Sequence, residues 1–161
     1  MRKKCAIVIA VNLLAAVMVL SAASMVMADE MERVEALVKK GVKMAETDGQ
    51  EATLKAIGNP QGPFIDGELY LFAGSLDRLF ILAHPYRLEL VGKDLGSFKN
   101  SKMFSFIADF VKIAKEDGAG WVEYQWPKPG ADGPSLKRSY VMRVPGQEMY
   151  LACGYYPESA K

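Results

Sequence analysis

In Glu68-Leu69-Tyr70-Leu71-Phe72-Ala73, Gly74-Ser75-Leu76-Asp77 and Arg78-Leu79-Phe80-Ile81-Leu82-Ala83 the hydrophobic period changes from helical to alternating. Leu69 and Leu71 point one way and Tyr70 and Phe72 the other, because successive side chains of a strand leave on opposite faces. The stretch therefore reads as two short strands, 68–73 and 78–83, around a hairpin loop. Both faces of the first strand are apolar, so it is expected to be covered on both sides.

Upstream the period is that of a helix. Val34, Leu37, Val38, Gly41, Val42 and Ala45 recur at helical spacing, with Glu32, Lys39, Lys40 and Lys43 elsewhere on the surface. That is an amphipathic helix of four turns or more. Asp48-Gly49 interrupts it, a shorter helical piece runs to Ile57 with Gly58 as its C′ residue, and 59–63 is a stiff Pro/Gly turn. Downstream, His84 to Asn100 is a long irregular stretch. Met103, Phe106, Ile107, Phe110, Val111 and Ala114 then mark a second amphipathic helix, with Ser101 as N-cap and Gly118 as stop. Three strands follow, 121–126, 137–144 and 148–155, joined by the Pro/Gly-rich run 127–134 and by Pro145-Gly146. This order fits one α+β domain, a five-stranded antiparallel sheet with helices packed on it.

Of 161 residues, 50% are hydrophobic and 24% charged, with a net charge of +1. No charged side chain occurs from Cys5 to Ala28, and only Arg2, Lys3 and Lys4 precede that run. A basic start, an apolar run to Leu20, small residues at Val26-Met27-Ala28 and then Asp29-Glu30 form the order of a secretory signal peptide cleaved after Ala28. The rival reading is an uncleaved anchor, since a span needs about 20 apolar residues. With 1–28 set aside, 29–161 is the domain. It keeps 17 of the 20 basic residues against all 19 acidic ones, a balance that excludes nucleic-acid binding through a bulk positive field. A secreted domain of this kind lies in the periplasm or outside the cell, and touches membrane only if the leader stays attached. Its single cysteine, Cys153, permits no internal disulfide. Set in the apolar run Met149 to Cys153, it reads as a small buried hydrophobe rather than as a reactive thiol.

Several blocks resemble the single Cache domain family. They are Ile65-Asp66-Gly67-Glu68-Leu69-Tyr70-Leu71-Phe72, Leu82-Ala83-His84-Pro85 and Leu90-Val91-Gly92-Lys93-Asp94-Leu95, then Gly120-Trp121-Val122-Glu123-Tyr124-Gln125-Trp126-Pro127, Ser139-Tyr140-Val141 and Cys153-Gly154-Tyr155-Tyr156. They stand in family order across nearly all of 29–161. The resemblance implies a PAS-like extracytoplasmic sensor fold, with a long N-terminal helix behind the sheet and a small-molecule pocket on the other face. It also implies small organic ligands, often short carboxylates. Members are usually joined to a membrane helix and a cytoplasmic chemotaxis or kinase module. With none of these after Lys161, the expectation is a free-standing Cache domain that presents ligand to a separate membrane receptor. The alternative is an interaction protein docking on a partner complex with a filled core and no ligand.

The chemistry on offer is that of binding. His84 is the only histidine, no Gly-x-Ser-x-Gly surrounds a serine, and one His with one Cys in 29–161 is too few for zinc. No enzyme activity, metal or cofactor is expected. Aromatic residues provide apolar walls with polar tips, and the candidate ligand-binding residues are Phe72, Trp121, Tyr124, Trp126 and Tyr140. Trp121 and Trp126 differ in strand parity, so a regular strand sends only one of them to the pocket. His84 and Tyr86 flank Pro85 at a strand end, where His84 either contacts ligand or bonds to its own loop. Lys137 is the last candidate, as an anion anchor implied by the resemblance or else as a solvated strand end. Lys137 and Tyr140 share a pocket only if Lys137 precedes the strand proper.

Overall fold

A computed structural model describes residues 27–95 and 105–157. The chain divides into two units, Met1–Glu32 and Arg33–Lys161; the second holds the sheet. Helix α1 is described over residues 27–47; after it Asp48 and Gly49, the latter at φ 86°, turn the chain into α2, Gln50–Ile57. The strands are β1 Ile65–Asp66, β2 Leu69–Ser75, β3 Ile81–Ala83, β4 Ala119–Pro127, β5 Pro134–Arg143 and β6 Met149–Tyr155, with α3, Ser105–Glu116, between β3 and β4. They form one antiparallel sheet in the order β1-β2-β6-β5-β4, with β3 beside the far half of β2. This is the α+β, PAS-like arrangement expected, its five strands joined by the two-residue β1.

The two-sided apolarity of β2 has the predicted cause. Every residue of β2 and of β6 is buried. On one face Gly41 of α1 lies so close to β2 and β6 that a Cβ there would sit 2.4 Å from Leu71 Cδ2 and 3.0 Å from Leu151 Cδ1. On the other face Phe110 of α3 meets Phe72 and Tyr150, with ring centroids 5.6 and 5.7 Å apart. The sheet is thus a middle layer, and its two faces have different fates.

Several boundaries move. β2 runs on through Gly74 and Ser75, which were expected in the hairpin loop, because Gly74 and Ser75 pair with Tyr150 and Met149 of β6. β3 is shorter than expected. The stretch after His84 holds a 3-10 turn, Leu88–Leu90, and is tied down by pairings of Ile81 with Val91 and of Phe80 with Asp94. Gly58 closes α2 in a right-handed conformation (φ −68°) rather than as a left-handed C′ residue, whereas Gly118 after α3 is left-handed at φ 78°. Ser101 and Met103 lie outside the described residues.

The largest correction concerns β5. Pro134 pairs with Pro127 and the ladder continues without a break to Met142, so Lys137 stands inside the strand and not in the loop before it. Proline is tolerated at a strand's first position, where no ladder N–H is required. Lys137, Ser139 and Val141 consequently share one face, and Tyr140 takes the other.

Gly154 fixes the spacing of β5 and β6 at this place. A Cβ on it would lie 2.5 Å from the Arg138 carbonyl oxygen and 2.0 Å from Ser139 Oγ. Backbone cannot yield as a side-chain tip can, so Gly154→Ala is expected to cost at least about 1–3 kcal/mol. Urea unfolding of both proteins measures it; an unchanged midpoint would contradict this packing.

Candidate ligand-binding site

The site lies on the α3 face of the sheet, where strand alternation collects one residue in two. Val122, Tyr124 and Trp126 of β4 point there, and Trp121, Glu123 and Gln125 point away. Lys137 and Ser139 of β5 stand opposite Tyr124 and Val122, and Tyr70 and Phe72 of β2 complete the floor. The chain leaving β3 makes the facing wall. His84 is 3% exposed, and its Nδ1 accepts hydrogen bonds from the backbone N–H of Tyr86 and of Arg87, both at 3.1 Å. With Nδ1 an acceptor, the neutral imidazole carries its proton on Nε2, which is left as a donor. Burial, with the Lys137 and Arg87 charges adding to it, holds the His84 pKa down at about 3.

Two cavities lie on either side of His84 and Trp126, which line both. The outer, about 100 Å³, is bounded by Tyr70, Tyr86, Arg87 and the Pro127–Ala131 loop. The inner, about 10 Å³, is bounded by Phe72, Ile81, Leu90, Leu95, Phe106, Ile107 and Tyr124. Phe106 stacks on Tyr124 at 4.0 Å, and the Tyr124 hydroxyl bonds to Ser139 at 3.0 Å. Arg87 spans the outer mouth, with its guanidinium 5.3 Å from the Trp126 ring and paired to Glu89. Among the described residues, no carboxylate lines either cavity.

Lys137 sits behind the floor. Its side chain is fully buried, and among the described residues Nζ has no hydrogen-bond partner. It lies 3.7 Å from the centre of the Tyr70 ring, 5.1 Å from that of Tyr156 and 5.8 Å from that of Phe72. Nζ is itself on neither cavity wall; Tyr70 and Phe72, which it touches, line the outer and the inner one. The Tyr70 hydroxyl donates to that of Tyr156 at 3.4 Å, and Tyr156 donates onward to the Pro127 carbonyl at 2.8 Å. Both phenols are therefore engaged away from the lysine. Cation–π attraction gives an ammonium part of what it loses on leaving water, yet burial still draws the Lys137 pKa down to about 7.

The family model for the single Cache domain 2 matches residues 17–161. The chain belongs to this family. A solved structure described as the structural basis for carboxylic acid recognition by a Cache chemosensory domain has 27% identity, covers 83% of this chain and 97% of its own, and superposes with a TM-score of 0.66. A periplasmic sensor domain of a chemotaxis protein has 27% identity, covers 86% of this chain and 97% of its own, with a TM-score of 0.60. Methyl-accepting chemotaxis protein McpP of Pseudomonas putida is 29% identical over 96 residues, 60% of this chain and 18% of McpP. The chain thus spans less than a fifth of that relative's length.

Of the sequence candidates, the structure brings Phe72, His84, Tyr86, Tyr124 and Trp126 to the two cavities of this Cache domain and places Lys137 directly beneath. It does not bring Trp121 and Tyr140. Parity turns both to the α1 face, where their rings lie 5.4 Å apart. Of the two alternatives for Lys137, the solvated strand end fails, because the side chain is fully buried. Sequence reasoning passed over Arg87, whose only signal is its place three residues after His84, and did not name Tyr70 among the candidates. Cys153 is fully buried and its thiol is pushed up to about 12 by burial, as a packed hydrophobe requires.

Lys137 makes stability depend on pH with a definite sign. An unfolded lysine holds its proton to about pH 10.4, whereas the folded one releases it near 7. The unfolded state binds more protons in between, so stability rises with pH through that window. Cys153 and the buried tyrosines, raised by folding, reverse the trend above about pH 9. Between pH 7 and 8.5 the free domain should gain up to about 1.4 kcal/mol per pH unit. Lys137→Met should remove that gain and raise stability at pH 7. Urea unfolding at several pH values reads both, and equal slopes in the two proteins would refute the assignment.

Proposed function

We propose that this Cache domain is an extracytoplasmic sensor module that binds a short organic monocarboxylate and catalyses nothing. The observation that carries the reading is Lys137 Nζ, fully buried and without an acceptor among the described residues. A buried charge without a partner is among the most costly arrangements a fold can hold, and one small anion relieves it. The neighbouring cations are already matched: Arg87 with Glu89, and Lys128 with Glu68 at 3.1 Å. One unmatched positive charge calls for one negative charge. Reaching Nζ requires the Tyr70 ring to give way on the outer-cavity side, with His84 Nε2–H available as a second donor to the carboxylate. An ammonium-bearing ligand would meet Lys137 and Arg87 with no carboxylate in either wall. The carboxylic acid recognised by one solved relative supports the same class.

Residues 1–28 serve, in this reading, as a secretory signal cleaved after Ala28, a junction that lies within the helical residues 27–47. Mass spectrometry of the extracytoplasmic fraction should find a chain starting at Asp29. Intact Met1 chain in washed membranes would restore the anchor. Among the described residues no helix is long and apolar enough to span a membrane. Ligand is presented to a membrane receptor of the chemotaxis type.

Thermal unfolding against short carboxylates, amino acids and amines tests the class. A ligand at 100 times its Kd adds about 2.7 kcal/mol. Acetate or propionate should stabilise and alkylamines should not. By titration calorimetry Lys137→Met should bind the acid at least about 10-fold more weakly, since a charged hydrogen bond is worth about 1.5–3 kcal/mol. No stabilisation by any carboxylate would favour the ligand-free interaction protein.

A further inference from the structure

We infer that the Lys137 amine condenses reversibly with an aliphatic aldehyde, so that the domain captures a neutral carbonyl compound as an imine on Nζ. The inference goes beyond the carboxylate reading, using the same amine in a different chemistry. A buried ammonium without an acceptor escapes its cost in one of two ways: an anion pairs with it, or the charge is removed. The surroundings of Nζ suit the second. Among the described residues it has no hydrogen-bond partner, and the rings of Tyr70, Tyr156 and Phe72 lie around it at 3.7, 5.1 and 5.8 Å. No carboxylate of the described residues lines either neighbouring cavity. An imine nitrogen has neither charge nor N–H, so condensation removes the buried charge and its unpaired donors together. The alkyl group it brings is apolar, as the ring faces are.

Only an unprotonated amine attacks a carbonyl. Burial holds the Lys137 pKa at about 7, so about half of it is free amine at neutral pH, against about one part in 2,500 for an exposed lysine. Among the described residues every other lysine is exposed or half-buried. Desolvation in an apolar pocket is a known way to activate a lysine for imine formation. The step balances without a co-reactant. The Nζ lone pair forms a bond to the carbonyl carbon, and a proton passes from nitrogen to the former carbonyl oxygen. The resulting hydroxyl then leaves with the second amine proton as water, and the C=N bond forms. The His84 ring lies 5.1 Å from that of Tyr70 and 5.9 Å from that of Phe72, two of the rings that Nζ faces, and its Nε2–H is a donor for the oxygen as negative charge builds there. An uncharged aldehyde passes the Tyr70 ring without desolvating a charge, and the Tyr70 hydroxyl is held by Tyr156 at a long 3.4 Å.

Reductive labelling tests this. The purified protein is incubated with propanal and cyanoborohydride, which reduces an imine to a stable secondary amine, and peptide mass spectrometry follows each lysine in time. At pH 7 Lys137 should gain a propyl group at least about 10-fold faster than any other lysine. The chain's α-amino group, itself partly free at this pH, is read on its own peptide. Between pH 8 and pH 6 the Lys137 rate should fall about 10-fold and those of exposed lysines about 100-fold. In Lys137→Met no lysine should label fast. Labelling of Lys137 no faster than that of the exposed lysines, in protein shown by circular dichroism to be folded, would overturn the capture. Propionate separates the two readings. If it slows the labelling of Lys137, both chemistries use one amine. If fast labelling persists at saturating propionate, the capture stands and the carboxylate loses this site. If labelling is slow in a protein that propionate stabilises, the capture alone falls.

Discussion

A buried lysine ammonium with no acceptor among the described residues is the constraint on which the rest of this domain depends. Lys137 is held there by backbone geometry, since β5 is paired on both sides, with β4 and with β6, and alternation leaves residue 137 no other face. The stem packs among Tyr70, Tyr156 and Phe72, whose rings offer the charge their π faces. That environment tolerates an ammonium without satisfying it. A fold built only for stability would place a methionine at this position, because a hydrophobe of similar shape usually packs there at no loss. In the proposed reading this cation is kept for a small anion, at a cost in stability.

Other parts of the structure follow from keeping that site closed to water and open to a small ligand. The sheet is covered by α1 on one face, so its apolar residues there need no other partner. On the other face α3 and the segment after β3 pack a hydrophobic core in which a narrow space remains. His84 divides that space. Its Nδ1 is consumed by the turn it caps, which fixes both the ring and the tautomer, and burial with two cations nearby keeps it neutral. A neutral Nε2–H donor beside a buried ammonium recognises an acceptor without adding a second buried charge.

Much of this was legible in the residues. The change of period at Glu68, the two-sided apolarity of Leu69 to Ala73 and the Trp-Val-Glu-Tyr-Gln-Trp-Pro block led to the sheet, its helices and the family. Parity stated that Trp121 and Trp126 part company, and they do. Other features were hidden for physical reasons. The two-residue β1 is too short to carry a period. The start of β5 was obscured by Pro134, which reads as loop chemistry although a strand can begin on it, and that put Lys137 at the end of its strand instead of inside it. A lone lysine at a strand end carries no mark of its burial, which depends on Tyr70 and Tyr156, 67 residues before and 19 after it in the chain. Arg87 has no pattern of its own; the turn that His84 holds together brings it to the mouth.

The central claim, that Lys137 is a buried cation awaiting an anion, is tested most directly by following the Lys137 side-chain resonance against pH by NMR, with and without saturating propionate. The free domain should titrate near 7, and the acid should raise that value by at least about one unit, because a carboxylate within contact distance stabilises the charged form. A Lys137 that titrates near 10.4 in the free domain, or whose titration the acid leaves unmoved, would contradict it.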